Sequence, residues 1–254
     1  MPAEPIDLYA IRQFEIKTLI PLEVFGYDAS FTISSQAMLT TVIVAVTYFI
    51  WATKEGTIIP GRLQASAEYI YLFVEDTLVR FGGNEAKQTL PFFMTIFVFI
   101  LFGSLIGLTP IKFTFTSHLI VTFTLALLVF LYVTVLAFQT QGLKFFRFFL
   151  PTGTPIAIAP LMIVIELVSY LFRPVTLGLR LFANILSGHI MLKLFGDFSG
   201  MLIDSLGTVG MVVAVLPVMG MAMMYFVEIC VVIIQSYVFI VLSAIYVKDA
   251  LQHH

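Results

Sequence analysis

The chain has 254 residues, of which 60% are hydrophobic and only 11% charged, with a mean hydropathy of +1.04 and a formal net charge of −2. A soluble domain carries roughly 25% charged residues, so water is excluded as the solvent of this chain and the bilayer takes its place. The near-neutral balance and the lack of any basic run exclude a nucleic-acid partner.

Residues 1–31 read as an outer N-terminal segment. Glu4, Asp7, Arg12, Glu15, Lys17, Glu23 and Asp28 interrupt it, so neither a cleavable signal nor a transit peptide is read there. A first span covers 32–53 and stops at Lys54 and Glu55; the turn-rich GTIIPG of 56–61 follows. Over 62–80 the periodicity is helical. Leu63, Ala67, Ile70, Phe73 or Val74, and Thr77 or Leu78 form one face, while Gln64, Glu68, Glu75 and Asp76 are polar. That pattern predicts an amphipathic helix lying in the plane of the membrane surface, with a cytoplasmic helix packed on the others as the alternative.

Residues 89–139 hold two spans, 89–108 and 119–138, separated by the turn Thr109-Pro110-Ile111-Lys112. A polar, basic and aromatic loop with Lys144 and Arg147 follows over 139–153. The region 157–247 contains two apolar stretches, 157–196 and 206–247. A continuous helix of about 40 residues is about 60 Å long, twice the hydrocarbon thickness. Pro174, Gly178, Gly188, Pro217 and Gly220 permit kinks. No charged loop interrupts either stretch, which favours two long, strongly tilted helices over four short spans. The fold class read from the sequence is therefore an all-α membrane protein with five crossings plus an in-plane helix, organised as a single polytopic domain over 1–254.

Lys54, Arg62, Arg80, Lys87, Lys144, Arg147 and Lys248 fall on one side of these crossings; Arg12, Lys17 and Lys112 fall on the other. The richer side is expected to be cytoplasmic or matrix, with the N-terminus outside and the C-terminus inside. Cys230 lies in an apolar run and reads as a small buried hydrophobe. No metal site and no cofactor are expected, and His253 and His254 read as an isolated tail. Without an H-E-x-x-H, a nucleophile elbow or a phosphate loop, a membrane enzyme is disfavoured. A proton-coupled solute transporter is disfavoured by the absence of an internal repeat.

Ionisable groups inside the apolar stretches carry the chemistry, since each costs about 2.5–3.5 kcal/mol at a helix centre on the insertion scale. They are Glu166, Arg173, Arg180, His189 and Lys193 on the first long helix and Glu228 on the second. Glu166, Ser169, Arg173, Thr176, Arg180, Asn184 and Ser187 step by three or four residues and form one stripe. His189, nine residues beyond Arg180, points to the opposite side of the helix. Glu228 and Gln235 share a face of the second helix, with Ser236 and Ser243 on a neighbouring one. Snorkelling towards a membrane surface is the competing reading for Glu166, Arg173 and Lys193. Arg180 has no nearby helix end and no carboxylate of its own helix at three or four residues' distance. An arginine stays protonated under physiological conditions and cannot relay a proton, though it can hold a carboxylate ionised. Histidine and a buried carboxyl can pass protons.

The sequence resembles subunit a of F-type ATP synthases. The resemblance rests on Glu166-Leu-Val-Ser-Tyr-Leu-Phe-Arg173-Pro174-Val-Thr-Leu-Gly178-Leu-Arg180-Leu-Phe-Ala-Asn184 followed by Ser187-Gly188-His189. Gln235-Ser-Tyr237-Val-Phe, Tyr246, Gly107-Leu-Thr-Pro110 and Thr116-Ser-His-Leu119 support it, and it covers about residues 30 to 250. It implies that the last two helices form a tilted hairpin against a ring of c subunits, in a complex that includes peripheral-stalk b subunits. Arg180 then matches the essential arginine facing the ring carboxylate. Asn184, Ser187, Gln235 and Tyr246 match polar positions along the proton path. Glu166 and Arg173 match positions towards the inner exit, and His189 with Glu228 a titratable pair on the outer side. The order histidine first, glutamate second is that of mitochondrial and alphaproteobacterial-like members. The expected location is a bacterial inner membrane, with the mitochondrial inner membrane as the alternative. Neither the residues nor the resemblance implies catalysis by this chain alone.

Overall fold

A computed structural model describes residues 18–21, 23–24, 27–28, 30–54, 56–109, 114–142, 145 and 158–251. The acidic and basic residues of 1–17, the Pro110–Lys112 turn, Lys144 and Arg147 of the 139–153 loop, and the terminal His253 and His254 lie outside them. Helices dominate the described residues. They are α1 (Ile33–Thr53), α2 (Arg62–Gly82), α3 (Leu90–Gly107), α4 (Leu119–Gln141), α5 (Ala159–Leu206), α6 (Thr208–Val213) and α7 (Val215–Leu251). Short 3₁₀ turns at Asn84–Thr89 and Phe115–Ser117 precede α3 and α4. Five helical segments are long and apolar enough to cross a membrane: α1, the 3₁₀ turn with α3, α4, α5, and α6 with α7.

Ahead of α1 lie two small antiparallel pairings that the sequence reading does not predict. Thr18–Ile20 (β1) pairs with Phe31–Thr32 (β4), and Glu23–Val24 (β2) with Tyr27–Asp28 (β3). Segments of two or three residues are too short to display a two-residue period, so no pattern announces them. The hydroxyl of Thr32 accepts the backbone N–H of Ser35 at 3.3 Å, satisfying an orphan donor at the start of α1.

The amphipathic reading of α2 holds along most of its length. Ala67, Val74, Thr77, Leu78 and Gly82 are buried, and Ile70 and Phe73 are half-buried. Leu63 departs from it: the residue is 55% exposed. Glu75 of α2 pairs with Lys87 of the following 3₁₀ turn at 2.6 Å.

The last hundred residues settle the choice between broken and continuous helices. α5 runs 48 residues without interruption, with Pro174, Gly178 and Gly188 inside it. At 1.5 Å per residue that is about 72 Å. It outlasts the apolar run by ten residues, from 196 to 206, because nothing there breaks a helix until Gly207 takes φ +57. The second stretch does carry a break. A turn at Ala214 separates α6 from α7, one turn before Pro217. Proline has no N–H to offer the carbonyl four residues back, and its ring crowds that carbonyl.

By contacts the chain divides into two units. The first comprises Met1–Ala45, Phe99–His118 and Phe182–Gln235; the second comprises Val46–Val98, Leu119–Leu181 and Ser236–His254. In the first, Ile100, Phe115, Ile185 and Val232 are buried, and the rings of Phe99 and Phe115 lie 5.1 Å apart. In the second, Leu78, Phe93, Val129, Leu177, Leu181, Phe239 and Val247 form the core. There Phe92 stacks on Tyr132 at 3.9 Å and Phe73 meets Tyr237 at 5.5 Å.

Away from these cores the helices present Leu39, Ile43, Ile50, Leu131, Leu167, Phe172, Leu194 and many more apolar side chains outward. In water such a surface would aggregate; in lipid it is the matched surface. Hydroxyls on the same helices are satisfied locally. Thr40, Thr41, Thr77, Thr95, Thr124, Thr134 and Ser243 each donate to the carbonyl four residues earlier, so they need no water.

Gly207 ends α5 in a conformation that a side chain strains. Gly207→Ala and Gly207→Asn are each expected to destabilise the folded chain by about 1 kcal/mol or more, since φ +57 with ψ −125 lies outside the left-handed helical region that Asn tolerates. Unfolding in mixed micelles by a denaturing detergent measures both.

Candidate functional site

Within the first unit, α5 and α7 run antiparallel and bring their polar residues together. Asn184 Nδ2 donates to Gln235 Oε1 at 2.7 Å. Nearby, His189 Nε2 lies 3.8 Å from Glu228 Oε1. The stripe on α5 and the Glu228–Gln235 face of α7 were each readable as a periodicity; the fold brings Asn184 of the stripe, and His189 from outside it, onto that face.

Glu228 is the most confined of these groups. Its side chain is 2% exposed, and neither carboxyl oxygen makes a hydrogen bond among the described residues. The Nε2 of Gln235 is in the same condition. Buried polar atoms without partners are few in native proteins, and they concentrate where a function needs them. The seat of Glu228 exists because of Gly188. A Cβ built on Gly188 would stand 2.6 Å from Glu228 Oε1 and 2.8 Å from its carboxyl carbon, closer than real side chains approach. The glycine ahead of His189 is therefore a space-maker for the carboxyl across the helix pair.

His189 has a second partner that the sequence reading missed. Thr114, just before the 3₁₀ turn at Phe115–Ser117, places its hydroxyl 2.8 Å from the same His189 Nε2. Tyr225 of α7 donates its hydroxyl to the carbonyl of Leu108 at 3.2 Å, tying α7 to the end of α3. Thr114 sits in no periodic pattern, and only the fold brings it to a residue 75 positions away.

The second unit holds a different cluster. Arg173 Nη2 pairs with Asp249 Oδ2 at 3.1 Å, and its guanidinium lies 5.2 Å from the ring centre of Tyr170 and 4.8 Å from that of Tyr246. Tyr170 in turn shares a 2.7 Å hydrogen bond with Thr134 of α4. Arg173 is thus clamped by a carboxylate and two aromatic faces. Asp249 was missed because, beside Lys248 at the chain's end, it reads as an ordinary terminal charge. Tyr246 was singled out, and it enters as one wall of this clamp.

Arg180 behaves unlike Arg173. It is exposed, and among the described residues it makes no ion pair. Exposed Leu179, Phe172, Ser169 and Thr176 belong to the same helix. Ser187 is also exposed and donates its hydroxyl to the carbonyl of Asn184 at 3.0 Å. Glu166 is half-buried and makes no ion pair among the described residues. No group of three metal-ligating side chains occurs among them either.

A chain whose described residues are overwhelmingly helical, with five membrane-length segments and with ionisable side chains gathered where two of them meet, is a multi-pass membrane protein of the kind that moves ions. The ATP synthase A chain family profile matches residues 35–248. Over 244 residues the chain is 45% identical to ATP synthase subunit a of Rhodospirillum rubrum, covering 96% of this chain and 98% of that one. A second Rhodospirillum rubrum sequence of the same description gives the same figures. The chain belongs to the ATP synthase A chain family.

The Gly188 seat leads to a test of geometry. Gly188→Ala is expected to destabilise the chain by about 1–3 kcal/mol through overpacking against Glu228. Gly196→Ala, whose Cβ would meet only Met221 Sδ at 3.9 Å, is expected to be neutral or mildly stabilising. Thermal unfolding of the two variants side by side measures the contrast.

Proposed function

We propose that this chain is the stator subunit of the membrane sector of a rotary F-type ATP synthase, supplying two proton half-channels and the arginine that faces the rotor carboxylates. The observation that carries the proposal is Arg180, a permanent cation on an apolar helix, exposed and without an ion-pair partner among the described residues. A guanidinium in hydrocarbon requires an acidic partner or water. A carboxylate on a neighbouring ring of c subunits fits that requirement. The chain performs no bond chemistry of its own in this reading.

The two helical clusters fit the two half-channels. Protons arrive from the outer side near His189 and Glu228, with Asn184, Gln235 and Ser187 lining the approach to the rotor. A ring carboxylate that gains a proton becomes neutral and can move into lipid. After nearly a full turn it meets the inner half-channel near Glu166, Arg173 and Tyr246. Arg180 favours its ionised form there, the proton leaves, and the fixed positive charge blocks a direct leak between the two paths. The field supplies about 2.3 kcal/mol per charge per 100 mV. Rotation is passed to the catalytic head, and reversal pumps protons outward.

The same reading places α5 and α7 as a strongly tilted hairpin against the ring, and α2 in the plane of the inner membrane surface. The b subunits of a peripheral stalk hold the assembly against rotation. The lysines and arginines at 54, 62, 80, 87 and 248 support a cytoplasmic or matrix side for that surface, with the N-terminus outside and a bacterial inner membrane as the preferred setting.

Replacing Arg180 by Ala is expected to abolish proton-coupled ATP synthesis in vesicles containing the assembled complex, with assembly unchanged. Normal coupling in that variant defeats the proposal. In a second test, a double exchange of His189→Glu with Glu228→His is expected to retain more proton pumping than either single replacement. Equal loss in all three removes the pairing.

A further inference from the structure

The imidazole of His189 is offered two partners on one nitrogen. Nε2 lies 2.8 Å from the Thr114 hydroxyl and 3.8 Å from Glu228 Oε1. The first is a hydrogen bond and the second is beyond one. The two partners differ in kind. An ionised carboxylate only accepts, so it serves Nε2 only when that nitrogen carries a proton. A hydroxyl donates to a bare Nε2 and accepts from a protonated one, so it serves the ring in both states.

The Thr114 hydroxyl is also held in place. Thr114 is buried; its carbonyl accepts the hydroxyl of Ser117 at 2.6 Å and the Ser117 N–H at 3.2 Å. Next to it, Phe115 is 1% exposed and packs against Phe99. Gly107 makes the room: a Cβ on that residue would collide with the Thr114 side chain. One glycine thus clears the Thr114 seat as Gly188 clears the seat of Glu228.

We infer that Thr114 is a positioning residue for proton transfer, holding the His189 ring as the resting partner of Nε2 just out of bonding range of Glu228. In the cycle this gives, neutral His189 carries its proton on Nδ1 and accepts the Thr114 O–H at Nε2. Uptake of a proton at Nε2 makes the imidazolium, whose Nε2–H is then shared between Thr114 and the nearby carboxylate. Transfer of that proton to Glu228 Oε1 neutralises the carboxylate and leaves Nε2 bare. The Thr114 hydroxyl rotates back to donate to it. Without the hydroxyl, the ring has only the carboxylate to bond, and the pair is expected to lock in its ionised form.

This inference rests on the proton-path reading of His189 and Glu228 given above. It is tested on the assembled complex in vesicles, with ATP-driven proton pumping normalised to assembled complex. Thr114→Val, which keeps the shape and removes the hydroxyl, is expected to lower pumping about fivefold to tenfold, the scale of one lost hydrogen bond. Thr114→Ser is expected to restore most of it. Wild-type pumping in Thr114→Val, or a loss in Thr114→Ser as large as in Thr114→Val, overturns the assignment. Thr114→Ala is the second hydroxyl-free variant, judged by the same outcomes if Thr114→Val does not assemble. His189→Ala in parallel separates the two levels. If it pumps normally, the proton-path reading itself fails; if it is silent while Thr114→Val pumps normally, only the role of Thr114 fails.

Discussion

The contact in which Asn184 bonds Gln235 and His189 faces Glu228 puts four polar side chains where hydrocarbon would otherwise be. A polar atom in that environment has no water to fall back on, so it must find a partner on its own helix, on a neighbouring helix or on another molecule. The first two solutions occur among the described residues. Most threonines use their own helix, donating to the carbonyl one turn back. Asn184, His189 and Arg173 use neighbouring helices or segments. Arg180 makes an ion pair by neither route among the described residues.

The two arginines of α5 illustrate how surroundings set apart chemically identical residues. Arg173 is fixed by Asp249 and by the faces of Tyr170 and Tyr246. An arginine so held is poorly placed to answer a moving charge. Arg180, two turns further along the same helix, has none of these restraints. The stripe read from spacing treats the two alike, and only the neighbours contributed by other helices tell them apart.

Much of the architecture was legible in the sequence, because bilayer thickness imposes a length on every apolar run. Helices run over Ile33–Thr53, Arg62–Gly82, Leu90–Gly107 and Leu119–Gln141, each within an apolar or amphipathic stretch of the sequence. The ten extra residues of α5 were not legible, since hydropathy marks where a helix is apolar and not where it ends. The ionisable residues of α5 and α7 stood out by their cost in lipid. Thr114 and Asp249 did not, because a threonine outside any helical stripe and a carboxylate beside a lysine at the chain's end are cheap in isolation. Their importance comes from partners at large sequence separation. Gly188 was visible as part of a family motif, while its reason for being glycine lies in the carboxyl opposite.

The solitude of Arg180 also bears on the stability of the chain. No described side chain forms an ion pair with it, and a guanidinium facing hydrocarbon without one costs free energy that an apolar side chain there would not. On the function proposed above, that cost to the isolated chain is recovered only inside the assembled complex.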